Sequence, residues 1–184
     1  MVGVIRRSFT YLDGKMFKKL FNTFVRHHLE YVQSVWSPHL IKHVNLIENV
    51  QRRATRLIDG FQNLTYGERL QMLNQPTLVY RRLRGDMIET FKHFNTYDKS
   101  TICPIFKLKP SKYENRKHDL QLERVTAKDG VRGCQTNSFY YRIPPKWNNL
   151  PKDVVNATDI NTFKNKLDEH WKDKLIRFQH TATL

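Results

Sequence analysis

After Asp13, which can cap a helix, Phe17, Leu20, Phe21, Phe24, His28, Tyr31, Val32 and Val35 follow at helical spacing. At about 100° per residue they share one face, and Lys15, Lys18, Lys19 and Arg26 fall on the other. Pro38 bars Ser37 from helical geometry, so this first helix is expected to end near Trp36. Ser37-Pro38 also has the chemistry to open a second helix, with Ser37 capping and Pro38 in the first turn. Its buried stripe reads Leu40, Val44, Ile47, Gln51, Ala54 and Ile58, and Gly60 supplies the stop. Lys42, Arg52, Arg53 and Arg56 project from the opposite side.

Thr65-Tyr66-Gly67-Glu68 is a capping-box sequence for a short third helix through about Leu73, which Gln75-Pro76 breaks. A fourth helix starts at Thr77, with Tyr80, Leu83, Met87, Phe91 and Phe94 on one face. Arg81, Arg84 and Lys92 flank that face, and Arg82 is expected behind it. From Asn95 to Thr136 the period disappears amid Pro104, Pro110, Gly130 and Gly133. Leu120-Gln121-Leu122 alternates briefly there. Pattern returns at Ser138, where Pro144-Pro145 limits any helix to short pieces. A last helix follows, capped by Asp159, with Ile160, Phe163, Leu167, Trp171 and Phe178 on one side. The expected fold is mainly α, a small helical bundle with a basic irregular loop region that has room for a short strand pair. By sequence order it divides into a helical, basic-faced segment (1–96), the irregular loop (97–136), short helices and the C-terminal helix (137–178), and a tail (179–184).

Charge sharpens the picture. Among 184 residues, 32 Lys+Arg stand against 17 Asp+Glu, a net +15, and such a surface attracts polyanions. Nucleic acid is the expected partner for a basic intracellular chain. No stretch is long and apolar enough to span a bilayer; an anionic membrane surface is the alternative polyanion, but no membrane partner is expected. Met1–Thr10 lacks the long apolar run of a signal peptide. Cys103 and Cys134 make neither a disulfide framework nor a zinc knuckle. An intracellular home, cytoplasmic or nuclear, is the expectation.

The chemistry of catalysis is missing. Nucleotidyl transfer needs carboxylates that hold divalent metals, and the acids here are scattered, with no Asp-Asp pair. Gly14-Lys15 lacks the rest of a P-loop. His39 and His43 lie one helical turn apart without a zinc-protease glutamate or a third ligand. No catalytic residue, metal or cofactor is therefore expected. The candidate site is instead two basic clusters, Arg52, Arg53 and Arg56, and Arg81, Arg82 and Arg84, whose planar forks suit phosphate oxygens. Solvated helix faces are the plainer alternative. Trp36, Phe139, Tyr140, Tyr141, Trp147 and Trp171 could stack on bases, but most sit where core packing would use them.

Several segments carry a family likeness. Arg26-His27-His28-Leu29-Glu30-Tyr31 and Val35-Trp36-Ser37-Pro38 resemble the "VRPHLEYA..VWSP" stretch of jockey-like LINE reverse transcriptases, the enzymes of non-LTR retrotransposons. Ile47 to Thr55 resembles their "IE.VQRRAT", and Tyr66 to Leu70 their "YEERL". Pro76-Thr77-Leu78 and Tyr80 to Asp86 resemble "PTL" and "YRRLRGD". Trp147 to Pro151, Val154 to Ala157 and Phe163 to Asp168 resemble "WNSLP..VV.A....FK..LD". These likenesses run in family order, from roughly Val2 to Trp171, although His27 stands where the family usually has proline.

The resemblance implies a parent with RNA-directed DNA polymerase activity, of which this is a C-terminal, post-palm segment. The family's metal-binding aspartates and endonuclease would then lie upstream, and no catalytic residue carries over. Three readings follow. The first is a non-catalytic polymerase segment presenting arginines to template RNA or an RNA–DNA duplex, with the upstream palm as its partner in the parent. The second is a structural or protein-interaction remnant with no nucleic-acid role. The third is an independent DNA-binding helical module, to which residues Asn63 to Pro76 are poorly suited.

Overall fold

The computed structural model describes residues 1–95, 106–109, 118, 120–124 and 137–181. The chain is mainly helical, and the described residues form no sheet. They divide into two compact units. One comprises Met1–Gln33, Pro38–Arg82 and Asp173–Leu184, and the other Ser34–Ser37 and Leu83–Lys172. The packing thus cuts across the division expected from sequence order, because chain neighbours need not share a core.

In the first unit, α1 (Val2–Ser8) was not legible in the periodicity and buries Ile5. Asp13 caps α2 (Gly14–Leu20) as expected, accepting from the Met16 N–H at 2.6 Å. A π-helical turn, Phe21–Arg26, follows, then α3 (His27–Glu30). Phe17, Phe21 and Val25 pack with Ile5, Leu12, Ala54, Ile58 and Leu73. The long first helix expected through Trp36 is broken. Tyr31 leaves helical geometry and Val32 takes a positive φ of 48°, before a separate short helix, α4 (Gln33–Trp36). The expected stripe buries only its first half, and Phe24, Tyr31 and Val32 are exposed.

Helix α5 (Ile41–Thr55) begins later than the Ser37-Pro38 cap suggested. Leu40 stands extended at its N-cap without a side-chain hydrogen bond. It buries Glu48, Gln51, Ala54 and Thr55, while Leu40 is exposed and Ile47 half-buried. Asp59 ties the following turn to the N-terminal segment. Its carboxylate accepts from the Leu12 N–H at 2.8 Å, and its own N–H donates to the Leu12 carbonyl at 3.1 Å. Gly60 adopts φ 84°, which favours glycine, in the turn past the helix.

The Thr65 capping box forms in full. Thr65 Oγ1 accepts from the Glu68 N–H, and the Glu68 carboxylate accepts from the Thr65 N–H at 2.7 Å, starting α6 (Tyr66–Met72). The Thr65 hydroxyl also donates to the Glu68 carboxylate at 2.7 Å, and that bond, with the one from the Thr65 N–H, favours the ionised form and lowers the Glu68 pKa. Helix α7 (Leu78–Asn95) begins one residue after the expected Thr77. Thr77 caps it, accepting from the Tyr80 N–H at 3.1 Å while donating to the Ile176 carbonyl at 2.7 Å.

The second unit buries Met87 and Phe91 of α7. Short pieces follow in chain order, as the paired prolines required: α8 (Phe139–Arg142), α9 (Pro144–Trp147) and α10 (Lys152–Val155). Asp159 caps α11 (Ile160–His170), accepting from the Asn161 and Thr162 N–H groups at 2.8 and 2.9 Å. Bonds from the Thr162 hydroxyl and backbone hold its pKa down to about 2. Phe163, Leu167 and Trp171 of the expected stripe are buried, and Phe163 stacks on Phe91 at 4.3 Å. Phe178 does not continue that stripe, because the helix ends at His170 and a 3-10 turn, Leu175–Arg177, intervenes.

Much of the irregular region lies outside the described residues, with Cys103 and Cys134, as do residues 182–184 of the tail. The strand pair expected near Leu122 reduces, among the described residues, to an isolated antiparallel bridge between Leu108 and Leu122. Lys109 N–H donates to the Gln121 carbonyl at 2.8 Å, and Glu123 N–H to that of Lys107 at 2.7 Å. Among the described residues no helix is long and apolar enough to cross a membrane.

Candidate nucleic-acid interface

The six arginines singled out from the sequence have different fates. On α5 the buried residues recur at three- and four-residue spacing, which turns Arg53 and Arg56 outward, and both are exposed. Arg52 sits on the flank and is half-buried. Its guanidinium carbon lies 5.2 Å from the centroid of the Tyr66 ring, a cation–π distance, and the side chain donates to Asn49 Oδ1.

The second cluster is turned to internal use. Arg81 forms an ion pair with Glu30 through two hydrogen bonds. Arg84 donates to both carboxylate oxygens of Asp168, at 2.5 and 2.7 Å. Arg82, expected behind the apolar face and open to solvent, is only 5% exposed. The periodicity misplaced it because the buried arc of α7 is wide at this turn: Tyr80, Arg82 and Leu83 are all buried. Arg81, Arg82 and Arg84 are therefore a poor docking surface, and a phosphate would have to compete with carboxylates already in bidentate geometry at Arg81 and Arg84. Arg84 also falls in the second unit, whereas the other five belong to the first.

Sequence reasoning missed the residues around Arg52. Glu48 is fully buried, and its carboxylate accepts from the Leu78 N–H at 3.1 Å, at the start of α7, and from the Tyr66 hydroxyl at 2.6 Å. The helix N-terminus compensates the buried charge. Burial, then the Glu48 charge and hydrogen bond, push the Tyr66 phenol far up, so it stays a donor. Arg69, one helical turn from Tyr66, is 1% exposed, and its guanidinium carbon lies 5.8 Å from the same ring centroid. The spacings of Arg52 with Arg56 and of Tyr66 with Arg69 were visible signals. The pairing of the two helices that carry them was not.

His180 completes this corner. Arg52 Nη2 lies 3.1 Å from His180 Nε2, and since guanidinium can only donate, that imidazole nitrogen accepts. Burial lowers the His180 pKa, Glu48 opposes the shift and Arg52 adds to it. The sign follows: the folded state resists protonation. The stabilisation is present in full above about 6.5, the ordinary histidine value. It is lost as pH falls through the lower folded value. An NMR titration of the His180 ring should have its midpoint below that of an unfolded histidine. A midpoint at or above it would show that the Arg52 contact does not hold in solution.

His39 and His43 are both exposed, and no three metal-ligating side chains cluster among the described residues. Comparisons with models of known protein families, with curated proteins and with solved structures find no match.

Proposed function

We propose that this chain is the non-catalytic, post-palm segment of a LINE-type reverse transcriptase, and that it binds template RNA or RNA–DNA duplex through the basic face of α5. The observation that carries the reading is the ordered run of family-like motifs from Arg26 to Asp168. The exposure of Arg53 within one of those motifs, and of Arg56 just past it, supports it. Backbone phosphates are the matching ligand, since exposed arginines at the surface of a +15 chain gain by releasing condensed counterions. The upstream palm is the proposed partner in the parent. Large apolar side chains left in solvent, among them Tyr31 at 75%, Ile41 at 62% and Leu46 at 63%, suit a chain that meets another protein surface. The same exposure favours the second reading, a protein-interaction remnant, if nucleic acid does not bind.

Filter binding over a salt series separates the two. Arg53→Ala should reduce the slope of log affinity against log salt by about 1 for duplex, with little change in sequence preference. Lys174→Ala, an exposed lysine outside the face, is the control. If the control lowers the slope equally, the basic surface is diffuse and α5 is not the site. If the wild-type chain does not bind RNA or duplex at all, the interaction remnant is the better reading.

A further inference from the structure

At the α5–α6 corner, arginines gather around Tyr66, whose hydroxyl is already engaged by Glu48. Arg52 and Arg69 both approach the Tyr66 ring. Arg56 lies near enough that its charge, after burial itself, lowers the Arg69 pKa, with Arg52 adding to the effect and the Tyr66 hydroxyl group opposing it. Glu48 spends its oxygens on the Tyr66 hydroxyl and the first N–H of α7. Arg69 is 1% exposed, and its buried Nε and Nη1 have no hydrogen-bond acceptor among the described residues.

Burying a guanidinium with unpaired donors is costly in solvation, and clustering like charges adds to that cost. Such groups are rare in folded proteins, and a bound ion is one of the arrangements that satisfies them. Guanidinium forks match oxyanions in both charge and geometry.

We infer that Arg52, Arg56 and Arg69 form a phosphate-binding site at the α5–α6 corner, with Arg69 as its innermost donor. The His180 ring is the neutral acceptor that a phosphate oxygen replaces on Arg52. The imidazole offers the guanidinium one neutral acceptor, whereas a phosphate offers an opposite charge and two oxygens for the fork, so the exchange runs toward the phosphate. The source of the phosphate, a nucleic-acid backbone or a small phosphate compound, rests on the function proposed above, whereas the site itself does not.

The test is thermal unfolding of the full chain against inorganic phosphate, with ionic strength held constant by chloride. The midpoint should rise with phosphate, and the His180 ring signals should shift in parallel. Arg69→Met removes the unpaired charge and should abolish the phosphate response without lowering the midpoint in chloride. Arg56→Ala, at an exposed side chain, should weaken phosphate affinity by about tenfold, the loss of one charge-assisted partner. It supplies the same reading should Arg69→Met fail to fold. No phosphate-specific rise, or a full response in the Arg56→Ala or Arg69→Met chain, overturns the site whatever nucleic acid does. A second arm adds RNA–DNA duplex. Competition between duplex and phosphate assigns the site to a nucleic-acid backbone. A phosphate response without duplex binding leaves the site standing for a small phosphate compound and removes the proposed function.

Discussion

Trp147→Ala is expected to destabilise the second unit by about 3–5 kcal/mol, the range for deleting a large buried aromatic. The Trp147 side chain is wholly inaccessible to solvent. Its ring lies 5.7 Å from that of Phe94 and 6.1 Å from that of Phe163, and Nε1–H donates to the Leu120 carbonyl at 2.9 Å. Truncation removes apolar contacts, leaves a cavity and orphans a carbonyl. The neighbouring side chain doubles the connection: Asn148 Oδ1 accepts from the Leu122 N–H, and Asn148 Nδ2 donates to the Leu122 carbonyl, both at 2.8 Å. Trp147 and Asn148 thus pin 120–122 as a strand partner would. Trp147→Phe should keep most of the packing and lose about 1 kcal/mol for the hydrogen bond. Urea unfolding followed by circular dichroism reads both. A Trp147→Ala midpoint indistinguishable from wild type would mean that this core does not form.

The second large effect is at Asp86. Its side chain is 4% exposed and accepts from Arg142 Nε at 3.0 Å and Nη2 at 2.9 Å. Arg142 Nη2 also donates to the Ser34 carbonyl at 2.9 Å, so one guanidinium ties α7, α8 and 34–37 together. Asp86→Ala leaves that guanidinium without its counter-charge, and the expected loss is about 3–5 kcal/mol. The pair need not be stabilising relative to an apolar one. Asp86→Leu with Arg142→Met should recover much of the loss, since buried pairs are often replaceable by packed hydrophobes. If the double variant falls as far as the sum of its single variants, the two residues are not coupled and the ion pair is incidental.

These two sites differ in how far they could be read from the sequence. Trp147 stands out, being an aromatic at an apolar position within a motif. The pairing of Asp86 with Arg142, separated by 56 residues, could not be read that way. The same holds for Arg81 with Glu30 and Arg84 with Asp168, 51 and 84 residues apart. A helical wheel reports that an arginine flanks an apolar stripe. It does not report that a carboxylate from a remote helix will arrive beside it. This is why half of the candidate interface became internal ion pairs or buried charge while Arg53 and Arg56 stayed in solvent. Arg69, the innermost residue of the proposed phosphate site, was passed over because its burial depends on the pairing of α5 with α6, which no local pattern reports.

The sequence alone determined what depends on a few neighbouring residues. Asp13, Thr65 and Asp159 start helices because a side-chain oxygen within one turn satisfies N–H groups that no carbonyl can reach. Most of the stripe residues of α7 and α11 are buried because their period is set by helix geometry. Tertiary structure alone decided where a pattern stops being honoured. The stripe after Phe21 continues to Val35, yet the helix breaks at Tyr31 and Val32, and Val35 is 75% exposed. Glu48, polar by every local measure, is buried because Tyr66 and the start of α7 come to it. Local hydrogen bonds and periodicity act over one or two turns. Burial and charge pairing depend on which distant segment arrives, and that is a property of the whole folded chain.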